Sequence, residues 1–193
     1  GPSELVRGRA GLGVAHATLH MALRDVFTSL TPARIVRTAQ LAHVVTRCLL
    51  DATPAPAAPR IGVCALNPHA GEQALFGDEE ERIIRPAVTR AADAGMDVSG
   101  PFPADTLLAR AAAGEFDAVV AMYHDQGHIA LKLLGMHRAV NITLGLPVIR
   151  TSVAHGTAFD LAGTGQARCD SMIEAIRVAA LLIDRQSLLS WNP

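Results

Sequence analysis

The sequence predicts an α/β protein in which a parallel or mixed sheet is covered by helices on both faces. Short apolar runs of strand length alternate with longer runs of helical period, the pattern of strands joined by crossover helices. Half of the 193 residues are hydrophobic and 18% are charged, which suits a globular chain with one sizeable core, or one full domain plus part of a second. Helix-starting and helix-stopping residues fall between these runs.

Taken in order, Val14–Leu19 reads as a strand. Thr31 followed by Pro32 starts a helix whose buried stripe is Ile35, Val36, Ala39, Ala42, Val45 and Leu49. Three prolines make Thr53–Pro59 a loop. Ile61–Leu66 is a compact apolar strand. Asp78 caps the next helix, which buries Ile83, Ile84, Ala87, Val88 and Ala91 and ends at Gly95. Gly100–Asp105 reads as a loop, followed by a short helix stopped by Gly114. Phe116–Met122 is a strand, Ile129–Leu134 a helix and Val140–Leu144 a strand. Asp170 caps a last helix, Ser171–Asp184. Gly1-Pro2-Ser3 reads as a cloning scar and is set aside.

Composition excludes several function classes. The formal net charge is −1 with no basic block, so a nucleic-acid partner is not expected. No apolar run approaches the roughly 20 residues of a membrane helix. Cys48, Cys64 and Cys169 form no C-x-x-C pair, and the first two sit in apolar segments as core residues. No signal peptide is evident, and a cytoplasmic protein is expected. Gly163-Thr164-Gly165 lacks both the third glycine and the strand context of a dinucleotide fingerprint.

Polar residues gather just after strands, where open α/β sheets place their ligands. His20 follows the first strand, Asn67-Pro68-His69-Ala70-Gly71-Glu72 the second, and His124-Asp125-Gln126-Gly127 the next. Three imidazoles from three strand ends suit a first-row divalent ion, with Asp105 and Asp125 as nearby carboxylates. Placement alone leaves a second reading open, in which each histidine is an ordinary loop residue. Lys132, Asn141 and Arg150 interrupt or end apolar stretches, so they either line a cleft as anion grips or escape to solvent. His128 could support the Asp125 loop, and His155-Gly156-Thr157 could contact a cofactor or substrate. His16 shares a strand face with His20 by alternation, and His43 and His137 read as solvated.

Several motifs together resemble the 4-hydroxythreonine-4-phosphate dehydrogenase family. They are Leu19-His20-Met21-Ala22-Leu23-Arg24-Asp25, Leu66-Asn67-Pro68-His69-Ala70-Gly71-Glu72 and Phe102-Pro103-Ala104-Asp105-Thr106. Met122-Tyr123-His124-Asp125-Gln126-Gly127, Asn141–Pro147 and Arg150–Ala158 follow in family order. The resemblance implies an isocitrate/isopropylmalate dehydrogenase-like fold whose N-terminal part is missing here. Residues 5–145 would form a metal- and substrate-binding α/β domain, and residues 146–193 would contribute to a cofactor-side domain. It implies His20, His69 and His124 as metal ligands and Lys132, Asn141 and Arg150 as substrate-binding residues. Lys132, Asp105 and Asp125 would be catalytic.

The implied reaction is NAD- or NADP-dependent oxidation and decarboxylation of 4-hydroxythreonine 4-phosphate to 3-amino-2-oxopropyl phosphate, in vitamin B6 biosynthesis. The implied metal is zinc, magnesium, manganese or cobalt. The implied assembly is a homodimer with an active site shared between subunits. Departures from the family pattern occur at Ala154, where biosynthetic members have Asp, at Gly127-His128-Ile129-Ala130, and at Leu134-Gly135-Met136-His137. Relatives act on threonate or erythronate 4-phosphate, or on the terephthalate cis-dihydrodiol. The rival readings are a non-catalytic metal- or anion-binding dimeric fragment and a purely structural α/β domain.

Overall fold

The computed structural model describes residues 3–7, 12–50, 58–135 and 139–185, the first stretch by its backbone. Most of the Pro/Ala loop (53–57) and His137 lie outside the described residues. The strands are β1 (Ser3–Arg7), β2 (Gly13–His16), β3 (Ile61–Cys64), β4 (Val98–Phe102), β5 (Ala118–Ala121), β6 (Val140–Leu144) and β7 (Arg150–Val153). They form one sheet in the order β4-β3-β5-β2-β1-β6-β7. Strands β4, β3, β5 and β2 run parallel, and β1, β6 and β7 continue the sheet antiparallel. The division drawn at residue 145 runs between β6 and β7, which pair directly.

The helices are α1 (Leu23–Ser29), α2 (Pro32–Leu49), α3 (Arg85–Asp93), α4 (Ala104–Ala112), α5 (His124–Gly135) and α6 (Asp170–Asp184). None is long and apolar enough to cross a membrane among the described residues. Strand alternation divides the core in two. Ile61, Val63, Ala118, Val120, Val140 and Ile142 face α2, α3 and α6, whereas Val14, Cys64, Val119 and Ala121 face α4 and α5. Cys48 and Cys64 are buried as expected, and burial pushes the Cys64 thiol up to about 12.

Several sequence expectations are met in detail. Thr31 Oγ1 accepts from Arg34 N at 3.2 Å and Pro32 opens α2. Gly95 and Gly114 follow α3 and α4 with φ of +85° and +89°. Strand β6 has the expected bounds.

Other elements differ. No strand was expected at Ser3–Arg7, whose first residue was set aside; β1 exists by pairing with β2 and β6 on either side. The loop expected at Gly100–Asp105 is instead the end of β4 and the start of α4. Strand β4 is at the sheet edge, so Pro101 needs no donor to a further strand. Helix α5 begins at His124 itself, five residues before its first apolar residue, Ile129. Asp78 and Asp170 do not cap. Their exposed carboxylates accept from Arg82 and Arg168 instead. Ahead of α3 the turn widens over Glu80–Ile84, and Arg85 N bonds to Glu80 O; Pro86 has no N–H to continue an α-ladder there.

Two local features position the site. The first is the turn after β3. His69, Ala70, Gly71, Glu72, Gln73 and Ala74 all have positive φ, between +42° and +78°. A left-handed run of L-residues costs roughly 1–2 kcal/mol per residue, so neighbouring structure must impose it. Glu80, 1% exposed, does so at the entrance to the turn. Its Oε1 accepts from Leu66 N at 2.8 Å and Asn67 N at 2.7 Å, and its Oε2 from Asn67 Nδ2 at 3.0 Å. Gly71 passes so close that a Cβ there would lie 2.7 Å from Glu80 Oε2.

The second feature is Gly127. A Cβ on this helical residue would lie 2.7 Å from Val14 Cγ1 and collide with His16 Nε2. Only hydrogen lets α5 press onto β2 there.

Two opposed substitutions test these constraints. Gly127→Ala gains about 1 kcal/mol of helix propensity but overpacks a tight contact, a cost of about 1–3 kcal/mol. Urea unfolding is expected to show net destabilisation, and a net gain would refute the close approach. Ala74→Gly is expected to stabilise by about 1 kcal/mol by relieving left-handed strain. Ala109→Gly, in the exposed interior of α4, should lose a similar amount.

Candidate functional site

The site lies where the parallel strands run out. Strands β2 and β5 end in register, His16 opposite Ala121. His20 follows β2 by four residues and His124 follows β5 by three, so their loops emerge side by side. The two imidazole centres are 5.4 Å apart. Thr18 ties the loops together by donating to Met122 O at 2.7 Å. Gln126 fastens β5 to β3, because its Oε1 accepts from Met122 N and its Nε2 donates to Ala65 O, each at 2.7 Å.

His20 and His124 open onto a pocket of about 390 Å³ whose other lining residues include His128, Lys132, Asn141, Ala154 and His155. Lys132 reaches it from two turns along α5. Asn141, on the face of β6 opposite its apolar residues, brings a buried Oδ1 that has no hydrogen-bond partner among the described residues. A buried acceptor left unpaired at a pocket wall is the place for a ligand donor. His155 and Gly156 also line a neighbouring cavity of about 460 Å³, with Ala158, Leu161, Arg168 and Ser171.

His124 Nδ1 lies 2.7 Å from Asp125 Oδ1. That hydrogen bond, with the imidazole charge, holds the Asp125 carboxyl below the usual range. The carboxylate oxygen only accepts, so Nδ1 carries the hydrogen, and in the neutral ring Nε2 then keeps its lone pair, the arrangement found in metal-bound histidines. His69 has the same arrangement, with Nδ1 3.0 Å from Glu72 Oε2. The left-handed turn brings that pair together, and Phe76 packs edge-on against the His69 ring.

The residues present fit a metal ion in part. Two imidazoles sharing one ion, at about 2.0–2.1 Å per bond, have ring centres roughly 4.5–5.5 Å apart, and His20 and His124 meet that condition. His69 is exposed on its own turn and is absent from the pocket wall. Among the described residues no cluster of three metal-capable side chains forms.

Of the remaining candidates, Asp125 flanks His20 and His124 in an adjoining pocket of about 350 Å³. Asp105 is exposed in the first turn of α4, where its Oδ1 accepts from Thr106 N. Arg150 is exposed on β7 and donates to Thr143 Oγ1 at 2.7 Å. Neither lines the pocket. His16 does not share a face with His20, because β2 stops at His16. It is 1% exposed and turns toward α5. His43 is half-buried in α2, and burial lowers its pKa. Sequence reasoning missed Glu80 and Gln126. Glu80 is the middle of three consecutive glutamates, and Gln126 stood inside a motif without a role of its own; a polar residue in step with buried Ile84 and Ala87 was the signal for the first.

This arrangement matches known proteins. Residues 4–179 match the family model described as pyridoxal phosphate biosynthetic protein PdxA. The D-threonate 4-phosphate dehydrogenase of Cupriavidus necator is 53% identical over 178 residues, 91% of this chain and 52% of that protein. The 4-hydroxythreonine-4-phosphate dehydrogenase of Geobacter metallireducens is 51% identical over 182 residues, 93% of this chain and 52% of that protein.

Among solved structures, the 4-hydroxythreonine-4-phosphate dehydrogenase of Klebsiella pneumoniae superposes with a TM-score of 0.79 at 44% identity, over 92% of this chain and 54% of that one. A terephthalate 1,2-cis-dihydrodiol dehydrogenase of Burkholderia xenovorans gives 0.72 at 36% identity, over 92% and 55%. A β-decarboxylating dehydrogenase of Thermococcus kodakarensis, 18% identical with a TM-score of 0.54 over 81% and 43%, shares the fold. The chain spans about half the length of the curated relatives it matches. By sequence and by fold, it belongs to the PdxA family of pyridoxal phosphate biosynthetic proteins.

Proposed function

We propose that this chain carries the metal- and substrate-gripping part of an NAD- or NADP-dependent dehydrogenase. The enzyme oxidises a secondary alcohol of a phosphorylated four-carbon hydroxy acid, with decarboxylation. The observation that carries the reading is the convergence of His20, His124, Lys132 and Asn141 on one pocket, with the Asn141 acceptor unpaired. Asn141 Oδ1 accepts a substrate hydroxyl and sets its register. Lys132 supplies positive charge to an acidic group and a donor near the reacting oxygen. Asp125 keeps the proton on His124 Nδ1 and so presents Nε2 to the pocket.

His20 and His124 hold the divalent ion in this reading. When bound, that ion lowers the pKa of the alcohol and stabilises negative charge on oxygen. His69 completes the ligand set when a second copy of the chain, or the remainder of the full-length protein, closes the site. In this reading a nicotinamide cofactor lies beside the substrate along the glycine-punctuated wall His155-Gly156, and the support for it is that the two cavities share that wall.

Within this reading D-threonate 4-phosphate is favoured over 4-hydroxythreonine 4-phosphate. The two differ at C2, a hydroxyl in the first and an ammonium in the second. The described pocket lining offers imidazoles, Lys132 and Asn141 but no carboxylate to pair an ammonium. Several relatives of comparable identity bear the threonate name.

The test is turnover by the full-length protein of both phosphates and of the terephthalate dihydrodiol, followed by reduction of the nicotinamide. The threonate phosphate is expected to give the highest kcat/KM, and preference for the ammonium substrate would reverse the assignment. Chelation should abolish turnover and added divalent metal restore it; turnover insensitive to chelator refutes the metal reading. Asp125→Asn is expected to weaken metal affinity about 10–100-fold, measured by competition with a chromophoric chelator.

A further inference from the structure

His128 is built into the site from three directions. Its ring lies flat on His124, with centres 4.0 Å apart and planes 6° from parallel. Its Nδ1 lies 3.1 Å from His16 Nε2 and 3.2 Å from the His124 carbonyl oxygen. His16 is the last residue of β2 and 1% exposed, so its ring belongs to the rigid sheet. Gly127, immediately before His128, is the residue that lets α5 come this close to His16.

We propose that His128 is a positioning residue: anchored by His16, it fixes the plane of the His124 imidazole at the pocket wall. The reasoning is mechanical. A carbonyl only accepts, so the two bonds coexist when His128 Nδ1 carries the hydrogen and shares it between His124 O and His16 Nε2. That sets the His128 ring relative to the sheet and to its own helix. The Asp125 bond holds His124 at one ring atom and leaves rotation about that contact. The flat His128 face removes this remaining freedom. Held at both edge and face, His124 aims Nε2 in one direction without losing order when a ligand binds, the preorganisation that makes a site efficient. The proposal rests on the reading of the His20–His124 pocket as the reaction site.

The test reads the clamp without substrate or metal. In the metal-free chain, long-range nitrogen–proton correlation spectra report the His124 tautomer, recorded at one pH where imidazoles are neutral. The wild-type chain is expected to show a single His124 tautomer with its hydrogen on Nδ1. His128→Leu should move the His124 nitrogen signals toward the averaged values of a free imidazole. His128→Phe, which keeps a stacking ring without the bond, should restore them in part; averaging in both variants would assign the hold to the His16 bond and equally support the clamp.

Wild-type His124 signals in His128→Leu overturn it. Circular dichroism of each variant checks the fold, and His128→Asn, which keeps a donor near the ring-nitrogen position, is the second variant should leucine fail to fold. Its His124 signals should average as well if the stack matters, and unchanged signals there also overturn the proposal. In the full-length enzyme, His128→Leu should lower kcat roughly tenfold to a hundredfold with little change in the KM for nicotinamide cofactor. A failed turnover assay with an intact spectral effect faults the reading of the site, and the reverse faults the clamp.

Discussion

Where β3 and β5 end, their backbone groups lose the ladder that satisfied them, and two side chains take over, the buried Glu80 and the half-buried Gln126. Glu80 accepts the N–H groups of Leu66 and Asn67, and Gln126 spans from Met122 N to Ala65 O. Unpaired backbone groups at these depths would each cost about 1–3 kcal/mol. These two residues therefore stitch the carboxyl ends of the strands into a floor, and the candidate site stands on it. The left-handed turn that displays His69 starts from the segment Glu80 holds. The helix that carries His124, His128 and Lys132 starts from the segment Gln126 holds. Strain in that turn persists because a buried carboxylate over-determines its entrance.

The electrostatic design above this floor is one of separation. Carboxylates stand at the outer edges of two imidazoles, Asp125 behind His124 and Glu72 behind His69, and each leaves the far nitrogen available. The pocket interior is lined by imidazole rings and the Asn141 amide, with Lys132 as its cation. Such a surface receives an anion more readily than a cation. Three arginine–carboxylate pairs lie away from this pocket. Arg60 pairs with Asp117, Arg110 with Glu115, and Arg85 with Glu81, all on the surface, where they contribute little to stability.

Within a single chain the site is partly assembled. His20, His124, Lys132 and Asn141 meet because parallel neighbours end together and β6 lies beyond β1 in the same sheet. His69, Asp105 and Arg150 belong to the same set of motifs yet face solvent from other loops and the far sheet edge. The chain covers about half of its relatives' length.

Periodicity and punctuation determined much of this protein by themselves. The Thr31-Pro32 start of α2, the glycines ending α3 and α4, the strand Val140–Leu144 and the buried Cys48 and Cys64 follow from short-range chemistry, and short-range chemistry is written in consecutive residues. The strand-end location of His20 and His124 was legible for the same reason. Tertiary structure alone decided the rest. β1 is a strand only through its two partners, Pro101 is tolerated only because β4 is an edge, and α5 begins at His124 although nothing apolar marks its first turn. Which histidines meet was also a tertiary decision: His16 and His128 join His124, 108 residues from His16 in one case and four from His128 in the other, while His69 stands apart. Spacing along a chain cannot report a distance set by sheet order and helix docking. At Gly127, that docking rests on the absence of a single methyl group.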